Sequence, residues 1–319
     1  MRIPEYLNEK VKAYSENKKL KNIFKNREQI TKDYKELKNN SDPIKTENDL
    51  VSYLLSRLPS TYAVSYNVLE KLNEFEQFKN VSNEIKSIID IGAGPATSTY
   101  ACLDLFESIE ELTLIERNNF FIEFAKNTLI DNFPSLKANI IKDNIKNINF
   151  EKNYDIAIIS YVLNELEDNT KLKLINDIWE KTNFLIIIEP GTPRGFESIR
   201  KIKNLYKESV LAPCTHNLIC PLEENDWCHF YKRIERTKEQ KYLKNATESY
   251  EDEKFSYLIL AKNNLLEREK RSRIIRHPKI MKGHISLKTC SENGVKEETY
   301  SAKNNNYKEI KKLSWGDSV

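Results

Sequence analysis

The stretch that decides the fold is Ile85-Lys-Ser-Ile-Ile-Asp-Ile-Gly-Ala-Gly-Pro-Ala-Thr-Ser-Thr99. Its isoleucines predict a buried strand, and Gly92 and Gly94 allow a sharp turn where the backbone can approach a ligand without an intervening Cβ. Ser98 and Thr99 open a helix, whose first N–H groups have no partner within the helix. This order predicts a small-molecule site at the carboxyl end of a parallel strand, and an ordinary strand-turn-helix corner is the alternative.

The residues around the glycines bear on the class of ligand. A dinucleotide-binding fingerprint has a third glycine three residues after Gly94, where this chain has Thr97, so NAD is disfavoured. Asp90 places a carboxylate at the strand end, where it can orient the loop or meet a cationic group. The pattern D-x-G-x-G resembles the Rossmann-like S-adenosylmethionine-dependent methyltransferases, and this resemblance implies a site for that cofactor.

After the turn, strand and helix patterns alternate, which is typical of a parallel sheet. Apolar runs predict strands over 112–116, 139–143, 154–160, 184–189, 255–261 and 284–288, with helices over 120–129 and 172–179. We therefore expect an α/β protein of the class I S-adenosylmethionine methyltransferase type, with N-terminal helices and a cysteine-bearing insertion.

Polar residues end the successive strands at what should be one edge of the sheet. Glu116 has about the spacing from Asp90 at which an acid accepts hydrogen bonds from ribose hydroxyls. Asp143 ends the third strand, where methyltransferases contact adenine, and Ser160 ends the fourth, where substrate or methionine contacts lie. Helix caps or solvated carboxylates are the alternative for each acid. The predicted cofactor-binding residues are Asp90, Gly92, Gly94, Glu116, Asp143 and Ser160, and no catalytic residue stands out.

Length and charge limit the possible organisation. The 319 residues suit one α/β domain with additions, and we expect a helical region over 1–80, a methyltransferase-like domain over 81–295 with an insertion over 190–254, and a tail over 296–319. The net charge is only +3, so a nucleic-acid surface would need local segregation of charge. No apolar run approaches the roughly 20 residues that span a bilayer, so no membrane partner is expected, and a monomer is expected.

The N-terminus bears on location. Met1–Glu9 has no apolar signal core, and its acids differ from an Arg-rich transit peptide. These features predict a cytoplasmic protein, and the five cysteines favour a reduced compartment with a metal site over a disulfide framework.

Four cysteines form the second candidate site. Three lie close together on a proline-marked loop and the fourth ends a late strand; they are Cys214, Cys220, Cys228 and Cys290. Four thiolates suit either Zn²⁺ or an iron–sulfur cluster, although the spacings match neither tight C-x₂-C pairs nor a ferredoxin run. His216 and His229 are alternative ligands or hydrogen-bond partners of ligands. Buried free cysteines are the structural alternative, and we expect Cys102 to belong to the core.

From about residue 45 to 295 the chain resembles the mitochondrial small-ribosomal-subunit methyltransferase-like proteins and their bacterial relatives. The segments that carry the resemblance are Arg57-Leu-Pro-Ser-Thr-Tyr62, Asp90-Ile-Gly-Ala-Gly-Pro95, Ser160-Tyr-Val-Leu-Asn-Glu165, Glu189-Pro-Gly-Thr-Pro-Arg-Gly-Phe196, Ala212-Pro-Cys214, Cys220-Pro221, Asp226-Trp-Cys-His-Phe230 and Glu253-Lys-Phe-Ser-Tyr257. The resemblance implies a role in assembly or translation on the small subunit and a 4Fe–4S cluster on the four cysteines, with zinc as the alternative.

Two basic stretches suggest an RNA partner. Residues 232–244 hold six Lys or Arg against two acids, and 262–282 hold eight against two. Phe230, Tyr231 and Tyr242 could stack on unpaired bases, with solvated helix faces as the alternative interpretation. The resemblance favours ribosomal RNA. Three functions stay open: a ribosome-associated factor with a scaffold fold, an active S-adenosylmethionine-dependent rRNA methyltransferase, and a redox- or iron-sensing switch.

Overall fold

The computed structural model describes residues 1–16, 18–36, 42–146, 148–262 and 271–319. The α-helices of these ranges are α1 (Glu5–Ser15), α2 (Leu20–Glu36), α3 (Glu47–Ser56), α4 (Leu58–Glu70), α5 (Glu76–Val81), α6 (Thr97–Leu105), α7 (Asn119–Asn132), α8 (Asp168–Glu180), α9 (Pro193–Leu205), α10 (Lys238–Leu243) and α11 (Tyr307–Ile310). The strands are β1 (Ser87–Ile91), β2 (Glu111–Glu116), β3 (Lys137–Lys142), β4 (Tyr154–Ser160), β5 (Thr182–Pro190), β6 (Val210–Ala212), β7 (Phe230–Glu235), β8 (Tyr250–Ala261), β9 (Arg273–Ile274), β10 (Lys279–Met281), β11 (His284–Ser291) and β12 (Gly294–Ser301). Of the helices in the described ranges, none has the length and apolar content to cross a bilayer.

The main sheet has the strand order β3-β2-β1-β4-β5-β8-β6, and β7 pairs with the outer part of β8. Strands β1 to β5 are parallel to one another, whereas β8 runs antiparallel to both β5 and β6. The order reverses between β1 and β4, and ligands of open α/β sheets bind at such a reversal. The predicted α/β class I methyltransferase fold is confirmed.

Both faces of this sheet are covered. On one face Ile88, Ile156 and Ile186 pack in a core with the N-terminal helices, α6 and α7. On the other face, alternate residues of the same strands, Ile89 and Ile187 among them, pack against α8 and α9. Apolar side chains on both faces are typical of a parallel sheet, and they leave its carboxyl edge as the place for polar chemistry.

The N-terminal helices pack directly on the helix that follows the glycine turn. The hydroxyls of Ser65 on α4 and Ser98 on α6 are 2.8 Å apart, and Tyr62 donates to Asp104 at 2.6 Å. From α1, Lys10 reaches Asp131 of α7 at 2.6 Å. Helices therefore cover one side of the turn.

A second, antiparallel sheet carries the fourth cysteine. Its order is β10-β11-β12, with β9 also paired to β11, and Cys290 lies opposite both Val295 and Arg273. The main chain of Val319 pairs with Ser272 through two hydrogen bonds of 2.9 Å. The predicted boundary at residue 295 falls within the β11–β12 hairpin, and the three-part division of the chain stays a prediction.

Candidate cofactor and metal sites

The glycine turn is held tightly at its first residue and is open at its third. The N–H groups of Gly92 and Ala93 both donate to Ile115 O, at 2.8 and 3.0 Å. Gly92 has φ +70°, and a Cβ there would lie 2.5 Å from Val162 Cγ2. Gly94 has φ +54°, and the nearest atom to a Cβ there is a Phe121 ring carbon at 4.0 Å. Glycine at 92 is thus required by contact and backbone angle together, while the space beside Gly94 is available to a ligand.

Glu116 fixes the shape of this turn. Its carboxylate accepts the N–H groups of Gly94, Arg117 and Asn118, each at 2.8 Å. Burial raises its pKa, and these backbone donors partly offset the effect. The sequence predicts a ribose contact for Glu116. The structure adds a positioning role, and the ribose contact stays a prediction.

Asp90 has the first of its two predicted roles, which is to orient the loop. The side chain is 1% exposed and accepts a hydrogen bond from the Thr99 hydroxyl at 2.7 Å. Burial raises the pKa of Asp90 to about 7. The bond fastens the end of β1 to the first turn of α6.

The other two predicted cofactor residues differ in their surroundings. Asp143 lies one residue after β3, is exposed and accepts the N–H of Asn144 at 2.6 Å. Ser160 is the last residue of β4, and its Oγ is buried without a hydrogen-bond partner. Thr97, the first residue of α6, also has a buried Oγ1 without a partner. Buried hydroxyls without partners are rare, and these two lie at the end of β4 and at the start of α6.

Glu189 has no role predicted from the sequence. It is the next-to-last residue of β5, and its side chain is fully buried. Its Oε1 accepts the Leu163 N–H at 2.8 Å, and its Oε2 has no partner. Burial raises the pKa of Glu189 to about 8. The adjacent strand β4 runs into Tyr161, which has φ +61° and a buried hydroxyl without a partner. The sequence signals for Glu189 are its position at the end of a predicted strand and its place in a segment that carries the family resemblance.

We expect Glu189→Gln to change how stability depends on pH. A carboxyl whose folded-state pKa is raised contributes stability below its unfolded pKa, near 4.5, and loses it as pH rises through about 8. The free energy of unfolding of the wild type should therefore fall relative to Glu189→Gln between pH 5 and 8, by up to about 1.4 kcal/mol per pH unit. Urea unfolding at several pH values measures this.

The control is Glu110→Gln, because Glu110 is exposed and its ion pair with Lys86 lowers its pKa. The difference in unfolding free energy between Glu110→Gln and wild type should stay constant between pH 5 and 8. If the curves of wild type and Glu189→Gln run parallel, Glu189 is not the buried carboxyl described.

The four predicted cysteine ligands line one cavity of about 40 Å³. Three come from the segment between β6 and β7 and the fourth from β11; they are Cys214, Cys220, Cys228 and Cys290. Burial, and secondarily the neighbouring thiols, raise the pKa of Cys228 and Cys290. Soft sulfur donors gathered around a small cavity are the chemistry that zinc and iron–sulfur clusters require.

The four cysteines line the same cavity, but their sulfur atoms are not arranged as a metal site. Across the described ranges, no three His, Cys, Asp or Glu side chains converge closely enough to hold a metal ion. The metal site therefore stays a prediction. Cys102 is fully buried in α6, as the sequence predicts.

Hydrogen bonds tie the cysteine segment to both sheets. Asp226 pairs with Arg276 and, at 3.0 Å, with Lys288 of β11. Ser256 of β8 donates to Cys228 O at 2.8 Å, and Arg273 donates to Pro213 O at 3.0 Å. These contacts position the cysteine segment without a metal.

The two histidines beside the cysteines are placed differently. His216 lines the cavity, and its Nε2 lies 3.6 Å from Cys290 Sγ. His229 stacks on Trp227 with ring centroids 5.3 Å apart and contacts Trp315 edge-on. Of the two, only His216 is among the residues that line the cavity.

Several basic side chains of the predicted stretches form ion pairs within the protein, so fewer are available to RNA than the composition suggests. In 232–244, Arg233 pairs with Asp252 at 2.7 Å, and Arg236 and Lys244 pair with Glu251 at 3.1 and 2.5 Å. These acids lie on β8, and the basic residues lie on β7, directly after β7 and directly after α10. In 262–282, residues 263–270 lie outside the described residues.

The predicted stacking residues also need correction. Phe230 is 4% exposed and packs on Tyr257, so it cannot stack on a base. Tyr231 instead lies 4.7 Å from His277 and 5.5 Å from Trp315, between ring centroids. We call Tyr231, His277 and Trp315 the aromatic patch. Three distant chain segments supply it, and no sequence pattern signals that they meet.

Residues 47–319 match the family described as mitochondrial small ribosomal subunit Rsm22. The chain belongs to the Rsm22 family. The match reaches residue 319, which corrects the expected end of the resemblance near 295 and brings Trp315 within the Rsm22 region.

Two relatives illustrate the Rsm22 family. Rsm22-cox11 tandem protein 2, mitochondrial, of Schizosaccharomyces pombe is 22% identical over 88% of this chain and 44% of its own length. Ribosome assembly protein METTL17, mitochondrial, of Homo sapiens is 23% identical over 85% of this chain and 62% of its own length. The chain thus spans less than two thirds of either relative.

These Rsm22 relatives overturn the predicted cytoplasmic location. The family description and the names of both relatives say mitochondrial. The prediction relied on the composition of Met1–Glu9, a short stretch outside the matched residues. The predicted location is wrong because the composition of nine residues is too little information to identify a cellular compartment.

Two solved structures that this Rsm22 family member is similar to carry methyltransferase names. A putative RNA methyltransferase from Pyrococcus horikoshii has a TM-score of 0.39 at 15% identity and covers 61% of this chain and 84% of its own. Magnesium protoporphyrin IX methyltransferase from Synechocystis has a TM-score of 0.39 at 10% identity, with coverages of 72% and 91%. The fold assignment rests on the strand order above.

Proposed function

We propose that this protein is a factor for assembly or translation of the small ribosomal subunit that binds ribosomal RNA. The family match over residues 47–319 carries this proposal. The name of the human relative, a ribosome assembly protein, supports it. The methyltransferase-like sheet then serves mainly as a scaffold for the cysteine segment and the aromatic patch.

The proposed metal group is a 4Fe–4S cluster on the four cysteines, with zinc as the alternative. The fit rests on the donor set, because four thiols, three from the segment between β6 and β7 and one from β11, line one cavity. Phe196, Leu222 and Ile275 also line it, and an apolar lining limits the access of water to a bound group. Such a cluster would supply electron storage and four bonds that cross-link the segment to β11.

The glycine turn is the proposed site for S-adenosylmethionine. The open space beside Gly94 and the partnerless hydroxyls of Thr97 and Ser160 support it. Glu116 holds the turn in shape, and Asp90 fastens it to α6. The cofactor, when bound, supplies a transferable methyl group, and Asp143 is the proposed adenine contact.

A second candidate function is an active S-adenosylmethionine-dependent rRNA methyltransferase. The observation that favours it is a pair of buried polar atoms without partners, Tyr161 OH and Glu189 Oε2, at the carboxyl ends of the adjacent strands β4 and β5. Purified protein incubated with labelled cofactor and small-subunit RNA separates the two functions. Robust turnover overturns the scaffold function, and its absence with retained binding to small subunits supports it.

Removal of rings from the aromatic patch should weaken RNA binding. Stacking of one base on an aromatic side chain is worth about 1–3 kcal/mol, so Tyr231→Ala should lower the affinity for single-stranded RNA by roughly 5- to 150-fold. Fluorescence anisotropy with a labelled single-stranded segment of small-subunit rRNA measures this. Tyr206→Ala is the control, because Tyr206 also packs on a neighbouring ring, that of Trp179, and lies outside the aromatic patch and both basic stretches. Equal affinities for the two variants would remove the patch from the RNA interface.

A further inference from the structure

His216 lines the cysteine cavity, and its two ring nitrogens contact different partners. The residue is 4% exposed and lies between Cys214 and Cys220 in the chain. Its Nδ1 accepts the backbone N–H of Leu218 at 3.2 Å. Its Nε2 lies 3.6 Å from the sulfur of Cys290, within hydrogen-bond distance for sulfur.

These partners determine the tautomer of the ring. A ring nitrogen that accepts an N–H must carry its lone pair, so the proton of the neutral imidazole is on the other nitrogen. The proton of His216 is therefore on Nε2, and Nε2 donates to Cys290 Sγ. A metal ligand would need the lone pair on that same Nε2. The geometry thus favours a hydrogen-bond partner of a ligand over a ligand, the two alternatives that the sequence left open.

Cys290 is the cysteine for which such a donor matters. It comes from β11 in the second sheet, whereas the other three come from the segment between β6 and β7. An N–H donated to sulfur stabilises the anionic form, and hydrogen bonds to the sulfurs of a cluster help to set its reduction potential.

We propose that His216 is a positioning residue whose Nε2–H holds Cys290 in the site and raises the reduction potential of the cluster bound there. Only the effect on the reduction potential rests on the proposed cluster. The tautomer and the N–H···S bond belong to the protein itself.

Two substitutions of His216 test the N–H donor separately from the shape of the imidazole ring. In His216→Gln the side-chain amide N–H can occupy the position of the Nε2–H, whereas His216→Leu has no donor. On anaerobically purified protein, redox titration followed by electron paramagnetic resonance should show a lower midpoint potential for His216→Leu. The expected change is about tenfold in the reduction equilibrium, or 59 mV for one electron. His216→Gln should stay within about threefold of wild type, about half that shift in mV.

The outcomes for iron content are equally distinct. If His216→Leu loses iron because the cavity is disturbed, His216→Gln must keep it. Loss of iron from both variants, to the level of a cysteine-ligand variant, would make His216 a ligand and overturn the proposal. An unchanged potential in His216→Leu with full iron would overturn it as well.

A second measurement does not depend on the cluster. Long-range ¹H–¹⁵N correlation spectra of metal-free wild-type protein report which ring nitrogen carries the proton. The Nε2–H tautomer is expected for His216, and an Nδ1–H tautomer would overturn the N–H···S bond. If wild type binds zinc or no metal, the proposed cluster fails while this measurement still decides the role of His216.

Discussion

Cys220→Ser is expected to purify with little iron and to bind small ribosomal subunits poorly. Loss of one thiolate leaves an open coordination site on the proposed cluster. Residues 213–229, between β6 and β7, contain no helix or strand and are held by side-chain hydrogen bonds and ion pairs, so bonds to a metal would add to their order. Iron and sulfide per chain, limited proteolysis over residues 205–235 and sedimentation with small subunits measure the three effects.

The matched control is Cys102→Ser, because Cys102 is a fully buried cysteine of α6 that packs in the main core and not in the cavity. A hydroxyl there should cost roughly 1–3 kcal/mol of stability, yet the folded protein should keep its iron. Full iron occupancy in Cys220→Ser would exclude that cysteine as a required ligand. Stoichiometric zinc in the wild type would exclude the cluster and keep the metal site.

Local patterns were enough to predict the parallel part of the fold. The strand predicted over 154–160 is β4, and that predicted over 139–143 is β3, which begins at Lys137 and ends at Lys142. Isoleucine-rich runs bounded by polar residues carry this information within a few residues. The pairing of β8 between β5 and β6 depends on contacts between distant segments, which no local pattern encodes.

The same limit explains the corrections at the candidate sites. A count of charges along 232–244 cannot detect Glu251 and Asp252, because those acids become neighbours only when β7 pairs with β8. Likewise, Trp315 joins Tyr231 only through the tertiary fold. Residue types at strand ends could be predicted, but not whether a carboxylate such as Glu116 is used by the backbone N–H groups of the turn.

Gly92→Ala is expected to destabilise the protein far more than Gly283→Ala, although both glycines have positive φ, +70° and +80°. A left-handed backbone costs an L-residue about 1–2 kcal/mol, which is the whole effect expected at Gly283, where a Cβ would have no atom within 4 Å. At Gly92 the Cβ would also lie 2.5 Å from Val162 Cγ2. Overpacking of that kind adds roughly 1–3 kcal/mol.

The difference in unfolding free energy between Gly92→Ala and Gly283→Ala measures the contact with Val162, because the cost of the left-handed backbone is common to both variants. To admit the new Cβ, Val162 must move, and it follows directly on Ser160 and Tyr161 at the end of β4. Gly92→Ala should therefore also lose measurable S-adenosylmethionine binding in calorimetry, while Gly283→Ala keeps the wild-type result. Equal unfolding free energies for the two variants in urea would mean that Val162 does not close over the turn. Wild-type cofactor affinity in a stably folded Gly92→Ala would move the proposed cofactor site away from this turn.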